Sequence, residues 1–450
     1  MTVRTWPRLP VLPILALLAG CESYAPEPVD LAQHARLFAE RLPDAAVIGR
    51  DARGPLDPSD GIDLAEARLI ALVFNPELRI ARQHAGVAQA SAAEAGRWQD
   101  PELQASFMRI LESSATHPWL AGAGVGLTLP LTGRPALEKE LAQGVHARAL
   151  AEARLAETGV LNSLDAAWVA WSSQQLVVTL LEELLAGLQQ LETTAQSLAA
   201  TGRITQIEAR TFTLARVQRA AELVQARSNV AVRELELKRL MGLPPERPLT
   251  LRSVIELSVR APNSAERRQL LLTSPRVLLP QRDHDVAERK LRLAIRKQWP
   301  ELTLVPGWEE EDAQPRAGLG LSLPIPLWNA NAREIAEARA ERSATAEVLR
   351  AALEVATQDL ARAEARARAA AERRQIVERD LLPLAQQQID DVRRLIELGR
   401  LDTLLMLDAL TRSFDARVAA VSAAVSVAEA TVDLNTLFWP ELTVPEESKE

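Results

Sequence analysis

Residues 100–143 decide the fold: Asp100-Pro101-Glu102-Leu103-Gln104-Ala105-Ser106-Phe107-Met108-Arg109-Ile110-Leu111, a polar turn through His117-Pro118, then Gly124-Val125-Gly126-Leu127-Thr128-Leu129-Pro130-Leu131, then Gly133-Arg134-Pro135 leading into a helical pattern. Two segments of about ten residues joined by a turn read as a β-hairpin, and a strand of about 9–11 residues is long enough to cross a bilayer at a tilt. The helical pattern that follows does not stop until about Ala200. At 1.5 Å per residue that is roughly 98 Å of helix.

The combination occurs twice. Trp299-Pro300-Glu301-Leu302 opens a second hairpin like Pro101-Glu102-Leu103, and Ala317 to Pro324 matches Ala123 to Pro130. Thr201-Gly202-Arg203-Ile204 is matched by Leu398-Gly399-Arg400-Leu401, and Asn75-Pro76 by Ser274-Pro275. Four anchors in one order, each displaced by about 200 residues, mark an internal duplication.

Composition excludes several classes. Of the 450 residues, 47% are apolar but only 4% are aromatic, so Ala and Leu fill the apolar positions and favour close helix-on-helix packing. A net charge of −8 gives no support for nucleic-acid binding. No His, Cys or carboxylate set has metal-ligand spacing; Glu309 to Asp312 reads as a solvated loop. No phosphate loop, nucleophile elbow or carboxylate pair with a pocket suggests an enzyme or a cofactor.

Residues 1–20 read as a signal peptide: Arg4 and Arg8 precede an apolar run from Leu9 to Leu18. Leu18-Ala19-Gly20-Cys21 resembles the bacterial lipobox, which makes Cys21, the sole cysteine, the expected site of lipidation. Glu22 after it favours outer-membrane sorting by the same resemblance. Residues 21–61 read as a lipidated, mostly extended linker. Residues 62–242 form the first repeat: a helix Leu64–Arg97 interrupted at Asn75-Pro76, the hairpin, the long helix, and a return helix from Ile204 to Met241. Within the long helix Leu161, Leu164, Trp168 and Trp171, then Leu181, Leu184, Leu188, Leu191, Ala195 and Leu198, form a coiled-coil seam. On the return helix Ile207, Leu214, Val217, Ala221 and Val224 keep a heptad. That return helix is too short to match the long one alone; Leu64–Arg97 supplies the missing length if stacked end to end with it.

Residues 243–273 read as a connector with one helical patch, Leu251–Arg260, and 274–439 as the second repeat, with helices Pro275–Lys297, Ala330–Leu398 and Leu401–Leu437 around a hairpin at 301–327. On the last helix Leu407, Phe414, Val418, Val421, Val425 and Ala428 keep the heptad. Residues 440–450 read as a polar tail. A single hairpin in lipid leaves unpaired edges, which hydrocarbon does not tolerate. Four strands are too few to close a pore, whereas three chains would give twelve. The alternative is a soluble four-stranded sheet capping a helical bundle.

The ordered set resembles the TolC family of outer-membrane efflux proteins, and its lipobox the lipid-anchored branch. The resemblance covers residues 60–440 and implies a mainly α fold with a small β part: duplicated helical hairpins forming a trimeric α-barrel, continued by a twelve-stranded transmembrane β-barrel. It implies an outer-membrane exit duct reaching into the periplasm, with a periplasmic adaptor and an inner-membrane transporter as partners. Gly202, Arg203, Ile204, Gly399, Arg400 and Leu401 become the adaptor-contact tips. Aligned from Gly399, Asp408 falls on one acidic gate position of the family; the other is Leu405 here, with Leu404 beside it. The family's aromatic girdle is thin, and Trp98, Trp299, Trp328 and Trp439 stand in for it. The competing readings are a periplasmic adaptor and a structural envelope lipoprotein without a pore. Palmitate labelling is expected in the natural sequence and lost in Cys21→Ser; labelling that persists in the variant would contradict the anchor.

Overall fold

The structure is a computed structural model that describes residues 24–43, 61–109, 111, 119–255, 257, 271–311, 314–397 and 402–438. The signal segment, Cys21 and the polar tail lie outside the described residues. Residues 1–42 and 43–450 are two separate units. In the first, the linker is not extended throughout: Leu31–Glu40 is a helix (α1). Asp30 starts it, its carboxylate accepting from the Gln33 N–H at 2.9 Å, and Arg41 lies 5.1 Å over the Phe38 ring at its end. An Asp cap before apolar residues at helical spacing is sufficient local reason.

In the second unit, α2 (Leu64–Phe74) begins with a reciprocal cap between Asp63 and Glu66, both bonds 2.9 Å. Asn75-Pro76 does not kink a helix but ends one and starts another, α3 (Pro76–Glu94). Proline suits the first helical position, where no N–H is needed. The long helix α4 runs unbroken from Arg134 to Ala200, and the return helix α5 from Gln206 to Met241. Helices α3 and α5 meet end to end beside α4, as their lengths require. The joint is Asn75, which is buried. Its Oδ1 accepts from the N–H groups of Glu77 and Leu78 at 2.9 and 3.2 Å, and its amide donates to the Leu240 carbonyl at 2.8 Å. Gly242, at φ +69°, closes the joint: a Cβ there would sit 2.2 Å from the Phe74 carbonyl oxygen.

The second repeat comprises α6 (Pro275–Arg296), α7 (Ala332–Ile376), a π-helical turn (Val377–Leu381), α8 (Leu382–Glu397) and α9 (Thr403–Phe438). The expected single helix 330–398 is therefore interrupted. Pro383 is the reason: it has no N–H, and its ring crowds the carbonyl four residues back, at Arg379. The turn widens so that the Leu382 N–H reaches the Val377 carbonyl.

Helix α4 packs against α3 and α5 on one side and against α6 and α9 on the other; α7 packs on α6 and α9. The α4 seam is as expected, with Leu161, Leu164, Trp168, Trp171, Leu181, Leu184, Leu188 and Ala195 all buried. The α5 heptad is corrected. Ile207, Leu214, Val217 and Val224 are exposed, and α5 buries Ala209, Phe212, Leu223 and Ala226 instead. The helix carries two apolar stripes, and one chain covers only one. Residues at seven-residue spacing are buried, nearly all alanine: Ala356, Ala363 and Ala370 on α7 and Val377 at the π-turn, and Ala409, Ala416, Ala423, Ala430 and Leu437 on α9. Of the α9 residues named from the heptad, Ala428 is buried and Leu407, Phe414, Val418, Val421 and Val425 flank this seam, half-buried.

The largest core gathers where α2 lies on α4, around Ile70, Leu78, Trp168, Leu237 and Met241, with Trp168 and Trp171 edge to face at 5.8 Å. The connector is corrected here as well. Leu251 forms a parallel bridge with Ile62, flanked by Ile62 N–H to Thr250 and Arg252 N–H to Ile62 bonds of 2.9 Å, and residues 252–255 are not helical. The Arg252 and Val254 N–H groups are used across the chain instead, by the Ile62 carbonyl and the Ser172 hydroxyl. Residues 258–270 lie outside the described residues.

Asp165 on α4 is fully buried and takes both nitrogens of Arg68 from α2, at 2.8 and 2.6 Å. Burial raises its carboxyl above the ordinary 3.8, a push that Arg68 opposes. In Arg68→Ala the carboxylate is left buried without its partner, which costs about 3–5 kcal/mol. The sign of the pH dependence follows: with a folded pKa above the unfolded one, the loss is full at pH above the folded value, fades as pH falls through it toward the ordinary carboxyl value, and is gone below that. Urea unfolding of Arg68→Ala at neutral and acidic pH measures both.

Candidate functional site

At one end of the helices lie four strands: β1 (Glu102–Arg109), β2 (Trp119–Leu129), β3 (Leu302–Glu311) and β4 (Gln314–Ser322). They form one antiparallel sheet in the order β1-β2-β3-β4, so the two hairpins of the duplication join at β2–β3. Strand β2 starts at Trp119, five residues earlier than expected; its eleven residues span about 36 Å. The His117-Pro118 turn lies outside the described residues.

The register sorts the two faces. On one stand Leu103, Ala105 and Phe107 of β1, opposite Val125, Ala123 and Ala121. Ala123 faces Trp308 and Leu127 faces Leu304, which faces Leu321; Trp308 faces Ala317. On the other face Gln104 and Ser106 lie opposite Gly124 and Gly122, Gly307 opposite Gly124 and Gly318, and Thr128 hydroxyl-bonded to Thr303 at 3.0 Å. Glu309 sits directly across from Arg316 on this polar face. The hairpins, which look weakly apolar as strings, are thus strongly two-faced once paired. The apolar face meets no helix: Leu103 is 77% exposed, Phe107 79% and Leu321 68%. Within one chain the sheet does not cap the helices with that face.

Among the described residues, both edge strands, β1 and β4, lack a partner on their outer side. Pro306 interrupts the ladder within the sheet: pairing between β2 and β3 skips from Gly124–Gly307 to Leu127–Leu304. Gly124 leaves room there, since a Cβ would fall 3.3 Å from the Pro306 carbonyl oxygen. Trp98 and Trp299 precede the hairpins and Trp328 follows, all exposed at the end where strands pass into helices. Trp119, over which Arg109 lies at 5.5 Å, marks the opposite end.

At the far end of the helices, Gly202 at φ +74° reverses the chain. The Arg203 N–H donates to the Leu198 carbonyl at 3.0 Å and the Gly202 N–H to Ala199 at 3.1 Å, the two bonds of a glycine helix stop. Arg203 is exposed, and Ile204 packs on Ala195, Ala209 and Phe212. Thr205 and Glu208 then start α5 with reciprocal bonds. These hold the Glu208 carboxyl below its usual range, the Thr205 backbone N–H contributing most. That cap is legible as Thr205-x-x-Glu208, and so is Asp402, whose carboxylate accepts from Leu404 and Leu405 N–H at 3.1 and 3.0 Å; sequence reasoning passed over both. Gly399, Arg400 and Leu401 lie outside the described residues.

The predicted gate residues are not equivalent. Asp408 is exposed and bound to Arg412 one turn on, at 2.7 Å. Leu405 turns toward Ile389, Val392 and Ala409, half-buried, while Leu404 is exposed. Leu407 packs on the Ala195–Phe212 cluster of the first repeat, and Arg417 reaches Glu183 at 2.5 Å, so the start of α9 is seated between α8 and the α4–α5 pair. Helix α9 is long and apolar enough to cross a membrane by composition alone, but these contacts along its length account for that character.

Residues 268–438 match the family profile described as outer membrane efflux protein. The match covers the second repeat, which is similar to that family. Solved structures extend the likeness to both repeats. The outer membrane protein VceC of Vibrio cholerae superposes with a TM-score of 0.70 at 16% identity, covering 83% of this chain and 95% of that one. The Campylobacter jejuni CmeC outer membrane channel gives 0.68 at 15%, covering 84% and 86%. The open state of the Neisseria gonorrhoeae MtrE outer membrane channel gives 0.65 at 18%, covering 83% and 88%. No curated protein matches by sequence. At these identities the structures establish the fold alone, one that this chain shares with those outer membrane proteins. A charge on the apolar face should therefore be costly. Leu321→Arg is expected to destabilise by about 2–4 kcal/mol near a bilayer midplane, and Gln104→Arg on the polar face by far less. Unfolding from lipid vesicles separates the two.

Proposed function

We propose that three copies close into one duct that spans the outer membrane and carries cargo out from a periplasmic adaptor and an inner-membrane transporter. The observation that carries this is the coincidence of free edges. The sheet ends at β1 and β4. The helical layer ends at α5, with its bare Ile207–Leu214–Val217–Val224 stripe, and at α7, where Val348 and Val355 are exposed at seven-residue spacing. First-repeat elements form one edge and second-repeat elements the other. Joining unlike edges head to tail generates a ring. Three chains supply twelve strands, and the ring removes edges that lipid forbids.

In this assembly the Leu103–Phe107–Leu321 face meets lipid, and the Gln104–Thr128–Glu309 face lines the lumen. The lipid on Cys21 holds the chain to the outer membrane. The tips Gly202–Ile204 and Gly399–Leu401 meet the adaptor, with Arg203 and Arg400 as its charged contacts. Three copies of Asp408, with Leu404 and Leu405, narrow the periplasmic end. Each Asp408 carries Arg412 with it, so the ring is one of ion pairs, with a weaker pull on cations than bare carboxylates.

The purified chain in detergent should have the mass of a trimer and form conducting pores in planar bilayers. Asp408→Ala should raise conductance or lower cation selectivity. A monomer at every concentration, or bilayers that stay silent, would overturn the duct; unchanged conductance and selectivity in Asp408→Ala would remove that residue from the gate.

A further inference from the structure

The two free helical edges carry matching patterns. On α5 the exposed residues Val217, Val224 and Ala231 step by seven, and beyond the Asn75 joint Ile80 and Val87 of α3, also exposed, step by seven again. On the opposite edge Val348, Val355, Ala369 and Ile376 are exposed at multiples of seven, and Leu384 follows after a step of eight. The longer step crosses the π-turn at Val377–Leu381, whose extra residue keeps the stripe on one face. Charges interrupt both stripes: Arg210 on α5, and Arg362 and Asp391 on the other edge, all exposed.

Contacts within one chain give the levels along the helices. Leu407 of α9 packs on the cluster that holds Ala209 and Phe212, and Ala409 packs on Ile389 and Val392. Helices α5 and α9 run the same way, so residues 211–214 of α5 stand level with 389–392 of α8. Nearer the sheet, Arg82 binds Glu157 at 3.0 Å, Arg148 binds Asp283 at 2.5 Å, and His284 meets Thr345 at 3.2 Å. These tie α3 to α4, α4 to α6 and α6 to α7, and bring Val87 within a turn of the level of Val348. A closed ring adds no rise from copy to copy, so levels within a chain hold between chains.

We propose that α3 and α5 of one copy lie antiparallel along α7 and α8 of the next in a single register. It sets Val217 against Leu384, Val224 against Ile376, Ala231 against Ala369, Ile80 against Val355 and Val87 against Val348, and it pairs Arg210 with Asp391. The register rests on the ring proposed above and names the residues that meet in it. An apolar stripe alone fits again after every slide of seven residues. Here the charges oppose both slides. One brings Arg210 against Leu384 and Ala231 against Arg362; the other brings Val217 against Asp391 and Ile80 against Arg362. A charge pressed on an apolar side chain loses water and gains no partner, so the wrong registers are penalised.

Cysteine pairs test the register in the full chain, in a Cys21→Ser background. Within a chain α4 and α9 stand between α5 and α7, so a link from α5 to α7 joins two copies. Val224→Cys with Ile376→Cys should close on oxidation into covalent dimers and trimers, since a disulfide needs Cα atoms within about 7 Å. Val217→Cys with Ile376→Cys, which meet only after a slide of one heptad, should stay unlinked. Arg210→Asp and Asp391→Arg should each lower the temperature at which the assembly dissociates in detergent, and the double variant should recover it, with helix content unchanged throughout. Linking by the shifted pair, or by neither pair in a chain with the mass of a trimer, would overturn the register and leave the duct standing. A double variant no more stable than the single ones would overturn the Arg210–Asp391 pair. A monomer at every concentration would sink the register and the duct together.

Discussion

Asn75 satisfies two helix ends with one side chain. Helix ends leave backbone N–H and C=O groups without partners, and burying them unpaired is costly. The 67-residue α4 needs a companion along its whole length, and neither α3 nor α5 is long enough. Two helices must abut inside the structure, where water cannot serve their ends. Asn75 serves both: its carbonyl oxygen caps the start of α3 and its amide binds the Leu240 carbonyl in the last turn of α5. The placement of the sheet at one end of α4 and the tip at the other depends on this joint. Its counterpart Ser274 is shorter. Its hydroxyl is buried and finds no hydrogen-bond partner among the described residues, and the long helix of the second repeat is broken.

Close packing explains how the rest holds with so few aromatics. Alanines at seven-residue spacing on α7 and α9 let the backbones approach, and polar side chains lock their relative height. Arg366 binds Asp433 at 3.0 Å and Arg148 binds Asp283 at 2.5 Å. Glu192 of α4 is buried and takes the Thr213 hydroxyl at 2.6 Å and Arg216 at 2.5 Å from α5. The Thr213 bond first, and Arg216 after it, lower its carboxyl pKa. Such pairs position more than they stabilise.

Much of this was legible in the chain. Asn75-Pro76, the two hairpins, the glycine at the reversal and the α4 seam are local signals, and local signals survive translation into structure. What failed did so for non-local reasons. The stripe Ile207–Val224 obeys the heptad and faces outward, because periodicity identifies an apolar face but not what covers it. Leu251 joins Ile62 through a pairing almost two hundred residues apart in sequence. The two-sidedness of the sheet appears only when the register sets Leu103 beside Val125 and Gln104 beside Gly124. The π-turn was readable in principle, from Pro383 and the single eight-residue step, but a lone proline in a long helix has several outcomes. For Asp408 the sequence showed a carboxylate and not the Arg412 that holds it.

The glycines of the polar sheet face carry a last consequence. Gly122, Gly124, Gly126, Gly307, Gly318 and Gly320 all lie on it, so much of that surface is bare peptide. Peptide groups already bonded within a ladder have little left to offer a passing molecule, and without side chains there are no niches to fit a shape. Away from the Glu309–Arg316 pair, a wall of this kind offers little with which to retain a solute or tell one from another. In the duct proposed above, discrimination among cargoes then has to be made before they arrive, and the outer segment serves best by being forgettable to whatever crosses it.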